Sequence, residues 1–309
     1  MCQFFSKNTL FCVLQYLVPQ HFLSRCAARL ANSQHPKLKN YLILKFIRHF
    51  NVNLSEAERE NPSDYLSFND FFTRALKPTA RAFTPDPNCF ISPADGAMSQ
   101  LGKVTPQGRI LQAKGRDYHF LELLGGEFKE IRAFKNSAFA TIYLAPKDYH
   151  RVHMPMDGEL LAMTYCPGQL FSVNPSTAEN IPNLFARNER AAIFFQTPHG
   201  KMAIVLVGAM LVAGIETVFG GTISPSNHKE IQHFSYEKNS NNSKNPAIKT
   251  LFKQGEELGR FQFGSTVIVL HESPLFRFED HLGPKKIIQM GQPLAKFVEK
   301  NLAENIEKI

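Results

Sequence analysis

Three places in this 309-residue chain gather residue types that could move protons or attack a carbonyl. The first is Ser92–Gly102, SPADGAMSQLG, where Asp95 sits between a strand-like run and Gly96. An Asp-Gly pair also serves as an ordinary Asx-turn. The second is Pro146–Gly158, PKDYHRVHMPMDG, with His150 and His153 three apart among Asp148, Arg151 and Asp157. On a helix, His-x-x-His could present two ligands to a metal. The prolines at both ends point instead to a loop, and two ligands fall short of a zinc site. Each histidine alone reads as structural. The third place is the Gly264-Ser265 pair inside Arg260–Leu270, RFQFGSTVIVL. By itself such a glycine reads as a bulge or tight bend between strands. The alternative is a strained turn whose hydroxyl attacks the preceding carbonyl when a base is near. Serine is a poor nucleophile without a base, and the base needs a carboxylate to fix its tautomer. An Asp, a His and a Ser occur here in that order, a trio that many chains could supply by chance.

These residues need a scaffold, and the chain is long enough for a large core in one or two domains. The apolar content of 43% fits a globular protein. Five scattered cysteines, with no CxxC spacing, argue for a reducing compartment and against a disulfide framework or zinc site. Charge is informative for its location. Residues 1–50 hold Lys7, Arg25, Arg29, Lys37, Lys39, Lys45 and Arg48 without one Asp or Glu, which accounts for +7 of the net +8. The same arm is rich in Leu, Phe, Ile and Val. Basic plus apolar points to an anionic membrane surface rather than nucleic acid. The apolar patch Leu10–Val18 stops at Pro19, short of the roughly 20 residues of a membrane span. No small-residue cleavage site of a secretory signal follows it.

The elements fall into two textures. In KLKNYLILKFIRHF after Pro36, Leu38, Leu42, Phe46 and Phe50 repeat every fourth residue, with Ile43 and Ile47 widening the stripe. That predicts an amphipathic helix with its lysines and Arg48 largely off the stripe, which packs on the core or meets a membrane. Ser67 predicts the N-cap of a second helix, SFNDFFTRAL, closed by Pro78. From Cys89 onward short β-like runs follow one another: Phe90–Ser92, Ala138–Leu144, Glu159–Cys166, Ala192–Gln196, Ala203–Val207 and Ser265–Leu270. One helix is expected at Phe120–Leu124. Met202–Ile215, broken by Gly208 and Gly214, reads as two buried strands, and Ser235–Lys249 as a polar surface loop. The expected fold class is α+β: a helical, membrane-contacting region over residues 1–88, then a β-rich, barrel- or sandwich-like catalytic domain over 89–309.

Several motifs together resemble the phosphatidylserine decarboxylase proenzyme family, in its bacterial, membrane-associated, pyruvoyl-dependent form. They are FNDFFTR (Phe68–Arg74), SPADG (Ser92–Gly96), DYHRVHMP (Asp148–Pro155), GQLFSVN (Gly168–Asn174), NLFARNER (Asn183–Arg190), VGAMLVAGIETV (Val207–Val218) and GRFQFGSTVIVL (Gly259–Leu270). They run in the family's order over nearly the whole chain. One departure is Phe263, where the family most often has Leu before Gly-Ser-Thr; it is an apolar exchange outside the bond being cut.

The resemblance implies that Asp95, His153 and Ser265 form a self-cleavage triad and that the Gly264–Ser265 bond is cut. Ser265 would attack the Gly264 carbonyl. Loss of its α-proton would then expel the upstream chain, and hydrolysis would leave a pyruvoyl group at position 265 with release of ammonia. The implied products are a β chain (1–264) and an α chain (265–309) that stay associated. The pyruvoyl ketone would take the substrate amine as a Schiff base and accept electrons as carbon dioxide leaves phosphatidylserine, giving phosphatidylethanolamine. His150 is a candidate for shaping the carboxylate site or donating the proton. The resemblance also implies no metal or diffusible cofactor, a peripheral place on the cytoplasmic side of the cell membrane, and a homodimer of processed protomers. A serine hydrolase using the same trio on an external ester or amide is the rival reading, although no G-x-S-x-G elbow is present. Arg187 and Arg190 could hold a phosphate but read first as partners of Glu189 or as a subunit contact. Asn174 could donate to substrate but reads first as a turn residue before Pro175, and His119, His228 and His233 read as structural.

Overall fold

A computed structural model of the chain describes residues 7–113, 115–210, 214–224, 229–236, 248–262 and 265–298. It is an α+β fold: short helices at the N-terminus, then sheets that remain open rather than closing into a barrel. The helices are α1 (Lys7–Leu17), α2 (Gln20–Ala31), α3 (Pro36–Phe50) and α4 (Phe68–Phe72), followed inside the β region by α5 (Phe120–Leu124), α6 (Pro175–Asn180) and α7 (Leu184–Arg187).

Among the described residues the largest sheet has nine strands. At its centre Ser265–His271 pairs antiparallel with Ala138–Leu144 on one side and Gly200–Val207 on the other. These strands are buried throughout, apart from a few end residues, because both sheet faces are covered. Val267 and Val269 join Val152, Leu258 and Phe261 in one core. Ile268 and Leu270 face the opposite core, with Leu123, Phe171 and Phe185. This is the period-2 alternation of a strand between two layers. The first layer is a four-stranded sheet that includes Arg151–His153 and Glu257–Phe261, together with a three-stranded sheet; the second is built largely from α5, α6, α7 and the hairpin of Arg109–Ala113 with Arg116–His119.

The six strands and the helix Phe120–Leu124 expected from the sequence all form, within three residues at each end; the largest difference is Gly200–Val207 where Ala203–Val207 was expected. The helix over 36–50 forms too, and its stripe packs inward: Ile43 and Phe46 are buried against Phe68, Phe71 and Phe72. Lys39 departs from expectation. It points inward, and its ammonium donates to the Ser63 carbonyl at 2.8 Å. Ser67 caps α4 as expected, its Oγ accepting from the Asp70 amide at 3.1 Å. The helix stops at Phe72 rather than reaching Pro78, because the chain turns to extended pairing. Glu58 N donates to Ala75 O at 3.0 Å and Lys77 N to Glu56 O at 2.9 Å. Of the expected Met202–Ile215 strand pair, 211–213 lie outside the described residues, as do 237–247 of the expected polar loop; Ser235 itself ends a strand, Gln232–Ser235.

Candidate active site

The two ends of the central sheet are not equivalent. Leu144, Ser265, Val207, Arg190 and Cys166 all lie at one end, because the strand registers run Ser265 to Leu144, Thr266 to Val207, Val207 to Arg190 and Arg190 to Cys166. Ser265 opens the central strand there. Residues directly opposite in a ladder share a face, so its side chain lies with Leu144, on the layer containing Arg151–His153. Ser265 is fully buried, and its Oγ has no hydrogen-bond partner among the described residues. Phe263 and Gly264, and with them half of the expected cleavage site, lie outside the described residues.

The Asp95 segment runs beside His153. The His153 amide donates to the Pro93 carbonyl at 2.8 Å, and the Ile91 amide to Pro155 at 3.1 Å. Gly96 follows because a Cβ there would collide with the Tyr143 carbonyl oxygen. Asp95 makes no local Asx-turn. Its Oδ1 accepts from the Met290 amide at 2.8 Å, and Arg81 grips both carboxylate oxygens, with Nε at 3.0 Å from Oδ1. Arg81 also reaches Glu56 at 2.9 Å.

His153 lies on a strand, not in a loop. Its Nδ1 lies 2.8 Å from the Gly255 carbonyl and its Nε2 2.9 Å from the Tyr149 hydroxyl. A carbonyl only accepts, so Nδ1 carries the proton and Nε2 takes the tyrosine hydrogen. Asp95 is therefore not hydrogen-bonded to this ring; its charge acts across space. Burial lowers the proton affinity of His153, while Gly255, Glu257 and Asp95 pull it back up.

His150 precedes the same strand. It is fully buried, with Nδ1 2.9 Å from the Asp148 carbonyl and Nε2 without a partner among the described residues. Its own carbonyl accepts from the Phe261 amide at 3.0 Å, four residues before Ser265. Burial, helped by the Arg74 charge, lowers its pKa to about 3, so the ring is neutral at physiological pH. The site thus holds a buried serine hydroxyl, two neutral imidazoles with assigned tautomers and a buried carboxylate. That set can take a proton from a hydroxyl and stabilise the cation that forms.

A family model described as phosphatidylserine decarboxylase matches residues 68–296, and a second, described as PSD, matches residues 10–51. A phosphatidylserine decarboxylase proenzyme of Pseudoalteromonas atlantica is 51% identical, over 87% of this chain and 91% of the relative. The chain belongs to the phosphatidylserine decarboxylase family. Proenzymes of the same name from Alteromonas mediterranea and Azotobacter vinelandii are 49% and 48% identical, over 91% and 94% of this chain and 84% and 99% of theirs. The chain is a decarboxylase of that family, and Asp95, His150, His153 and Ser265 all fall inside the matched 68–296 segment.

The remaining sequence candidates resolve as structural. Asn174 caps α6, accepting from the Thr177 amide at 3.0 Å. Among the described residues neither arginine of the NLFARNER stretch pairs with Glu189, the first of the two expected roles. Arg190 is buried and donates to the carbonyls of Leu123, Asn188 and Glu122, whereas Arg187 reaches Tyr16 and Gln169. His119 caps α5 and His233 bonds Thr164; His228 lies outside the described residues. Among the described residues, no group of three or more His, Cys, Asp or Glu is placed to hold a metal ion. Sequence reasoning left three site residues unassigned. Tyr149 and Arg74 stood inside quoted motifs, while Arg81 carried no signal at all.

Proposed function

We propose that this chain is a self-processing, pyruvoyl-dependent enzyme that converts phosphatidylserine to phosphatidylethanolamine and carbon dioxide. The observation that carries the reading is Ser265: a buried hydroxyl without a partner among the described residues, at the first position of the central strand and directly after Gly264. Asp95, His153 and Ser265 carry out the cut between Gly264 and Ser265. His153 Nε2 exchanges its Tyr149 hydrogen bond for the Ser265 proton, and the buried Asp95 charge favours the imidazolium that results. Ser265 Oγ bonds to the Gly264 carbonyl carbon and the amide becomes an ester. Removal of the Ser265 α-proton expels the 1–264 carboxylate, and water releases ammonia from the dehydroalanine that remains.

A group made from Ser265 fits this position, since its buried surroundings exclude bulk water. That pyruvoyl group supplies an electron sink next to the carbon that loses carbon dioxide. His150, held neutral with a lone pair on Nε2, orients the substrate and takes part in moving the proton. The cut chains stay together because strand 265–271 is hydrogen-bonded along both edges to strands of the 1–264 chain.

On this reading residues 1–88 attach the enzyme to an anionic membrane surface on the cytoplasmic side, and 89–309 carry the chemistry, in a homodimer of processed protomers. Among the described residues no helix is long and apolar enough to cross a membrane. Instead Phe11, Leu14, Leu17, Phe22, Leu23 and Leu30 are exposed on α1 and α2, with Arg25 and Arg29 beside them. Both helices are fastened at the Ser265 end of the sheet: Gln15 and Gln20 accept from the Ser172 and Leu170 amides at 2.8 and 2.6 Å.

The test is the intact mass of denatured wild type beside Ser265→Ala, followed by a decarboxylation assay on phosphatidylserine vesicles. Two chains, the smaller starting at 265 with a ketone in place of its amine, and an uncut variant are expected. A single intact chain whose serine reacts with a fluorophosphonate would overturn the reading in favour of a serine hydrolase.

A further inference from the structure

Arg74 is an expensive residue in its place. The residue is only 3% exposed, and among the described residues no carboxylate bonds to it, although the Asp95 and Asp148 charges act on it across space. Nη2 donates to the carbonyls of Lys147 and Asp148 at 2.9 and 3.3 Å, while Nε and Nη1 have no partner among the described residues. The guanidinium lies over the Phe71 ring, 5.6 Å from its centroid. Burying a charge without a counter-ion is costly, and a neutral side chain would fill this volume at less expense. The position therefore needs something that only a cation or a forked donor provides.

The Asp148 carbonyl shows what that is. It is the same oxygen that His150 Nδ1–H bonds at 2.9 Å. Two donors converge on one acceptor. Two residues before Arg74, the Phe72 ring packs on the His150 imidazole, with centroids 4.1 Å apart. The Lys147–Asp148 turn leaves the strand that pairs with Ser265, and is closed by the Asp148 carboxylate accepting from the Ala145 amide at 2.7 Å. Short helix α4 thus delivers a wall for one face of His150 and a clamp for its hydrogen-bond acceptor.

We propose that Arg74 is the positioning residue for His150: by clamping the Asp148 carbonyl it keeps the imidazole proton on Nδ1 and leaves the Nε2 lone pair free in the buried site. Arg74 touches no reacting atom and acts through His150. Its importance for turnover rests on the decarboxylase reading above; its control of the His150 tautomer does not.

The experiment uses the full-length chain, as wild type, Arg74→Lys and Arg74→Met. Nitrogen-15 spectra of the histidines, with His150 assigned through His150→Asn, should show a neutral ring protonated at Nδ1 in wild type. Arg74→Met should lose that single tautomer and Arg74→Lys should keep most of it. In the phosphatidylserine assay Arg74→Met should lose about 10- to 100-fold in kcat, with KM within about twofold, as for a misplaced but present group. Arg74→Lys should recover part of it. A wild-type His150 protonated at Nε2 or exchanging between tautomers overturns the proposal even if Arg74→Met does not fold. So does an Arg74→Met enzyme with wild-type kcat, or one changed in KM alone. A wild type that neither cleaves nor decarboxylates defeats the functional reading instead, while the spectra still decide on Arg74.

Discussion

The Tyr149 hydroxyl donates to His153 Nε2 at 2.9 Å, occupying the lone pair that His153 needs as a base. Tyr149 is buried, and burial pushes its own proton affinity up, so the hydroxyl stays a donor. Tyr149→Phe should free the lone pair and speed the cut at Gly264–Ser265, followed as the rise of the smaller chain after synthesis. The same change leaves a buried acceptor without a partner and should cost about 1–3 kcal/mol of stability. Loss of cleavage in this variant would mean that the tyrosine relays the proton rather than holding it back.

Acid sensitivity follows from the buried histidines. The His150 and His271 pKa values are lowered from 6.5 to about 3 by burial, and His153 is lowered too. The unfolded chain binds these protons first as pH falls, so the stability they contribute is complete above about pH 6.5 and drains away below it. From pH 7 to pH 5 the loss should be about 2 kcal/mol for each of His150 and His271, seen as a falling Tm. His271→Asn should show a shallower fall over the same window. An unchanged slope would place His271 outside the effect.

Arg81 joins Asp95 to Glu56 and is itself nearly buried. Arg81→Met removes the partner of a buried carboxylate, leaving it the Met290 amide. The expected loss is about 3–5 kcal/mol in urea unfolding. Because Arg81 no longer holds the Asp95 carboxylate in place, self-cleavage should also slow. A variant as stable as wild type would show that the pair contributes little.

Membrane attachment has a direct test. Leu17 and Phe22 are 78% and 57% exposed, so replacing both with serine should leave the thermal unfolding curve unchanged. Binding to vesicles containing anionic lipid should fall at least about tenfold, from the apolar area no longer buried in the interface. Equal binding at low salt and in high salt would argue against attraction by the basic arm.

Much of this protein was legible in one dimension because its signals are local. The β-branched run after Ser265, the spacing of Leu42, Ile43, Phe46 and Ile47, and the Ser67 cap each act within a few residues. The chemistry-bearing residues were legible as types. Their mutual arrangement was not. Asp95 was read as the group that would orient His153, yet Gly255, 102 residues away along the chain, holds Nδ1 and Tyr149 holds Nε2. Nor did composition suggest that Glu56, Phe72, Arg74 and Arg81, all before residue 89, would reach into the site.

The sequence by itself determined that a buried strand would start at Ser265, that a basic and apolar arm would precede a β-rich body, and which residues were able to exchange protons. These follow from periodicity and side-chain chemistry, which neighbouring residues express without help. Only the tertiary structure decided which nitrogen of each histidine bears a proton, that Lys39 turns inward, and that α4 ends early so that Arg74 can reach the Asp148 carbonyl. Such choices depend on hydrogen-bond acceptors supplied from distant stretches, and buried polar groups must take whatever partner the fold brings to them.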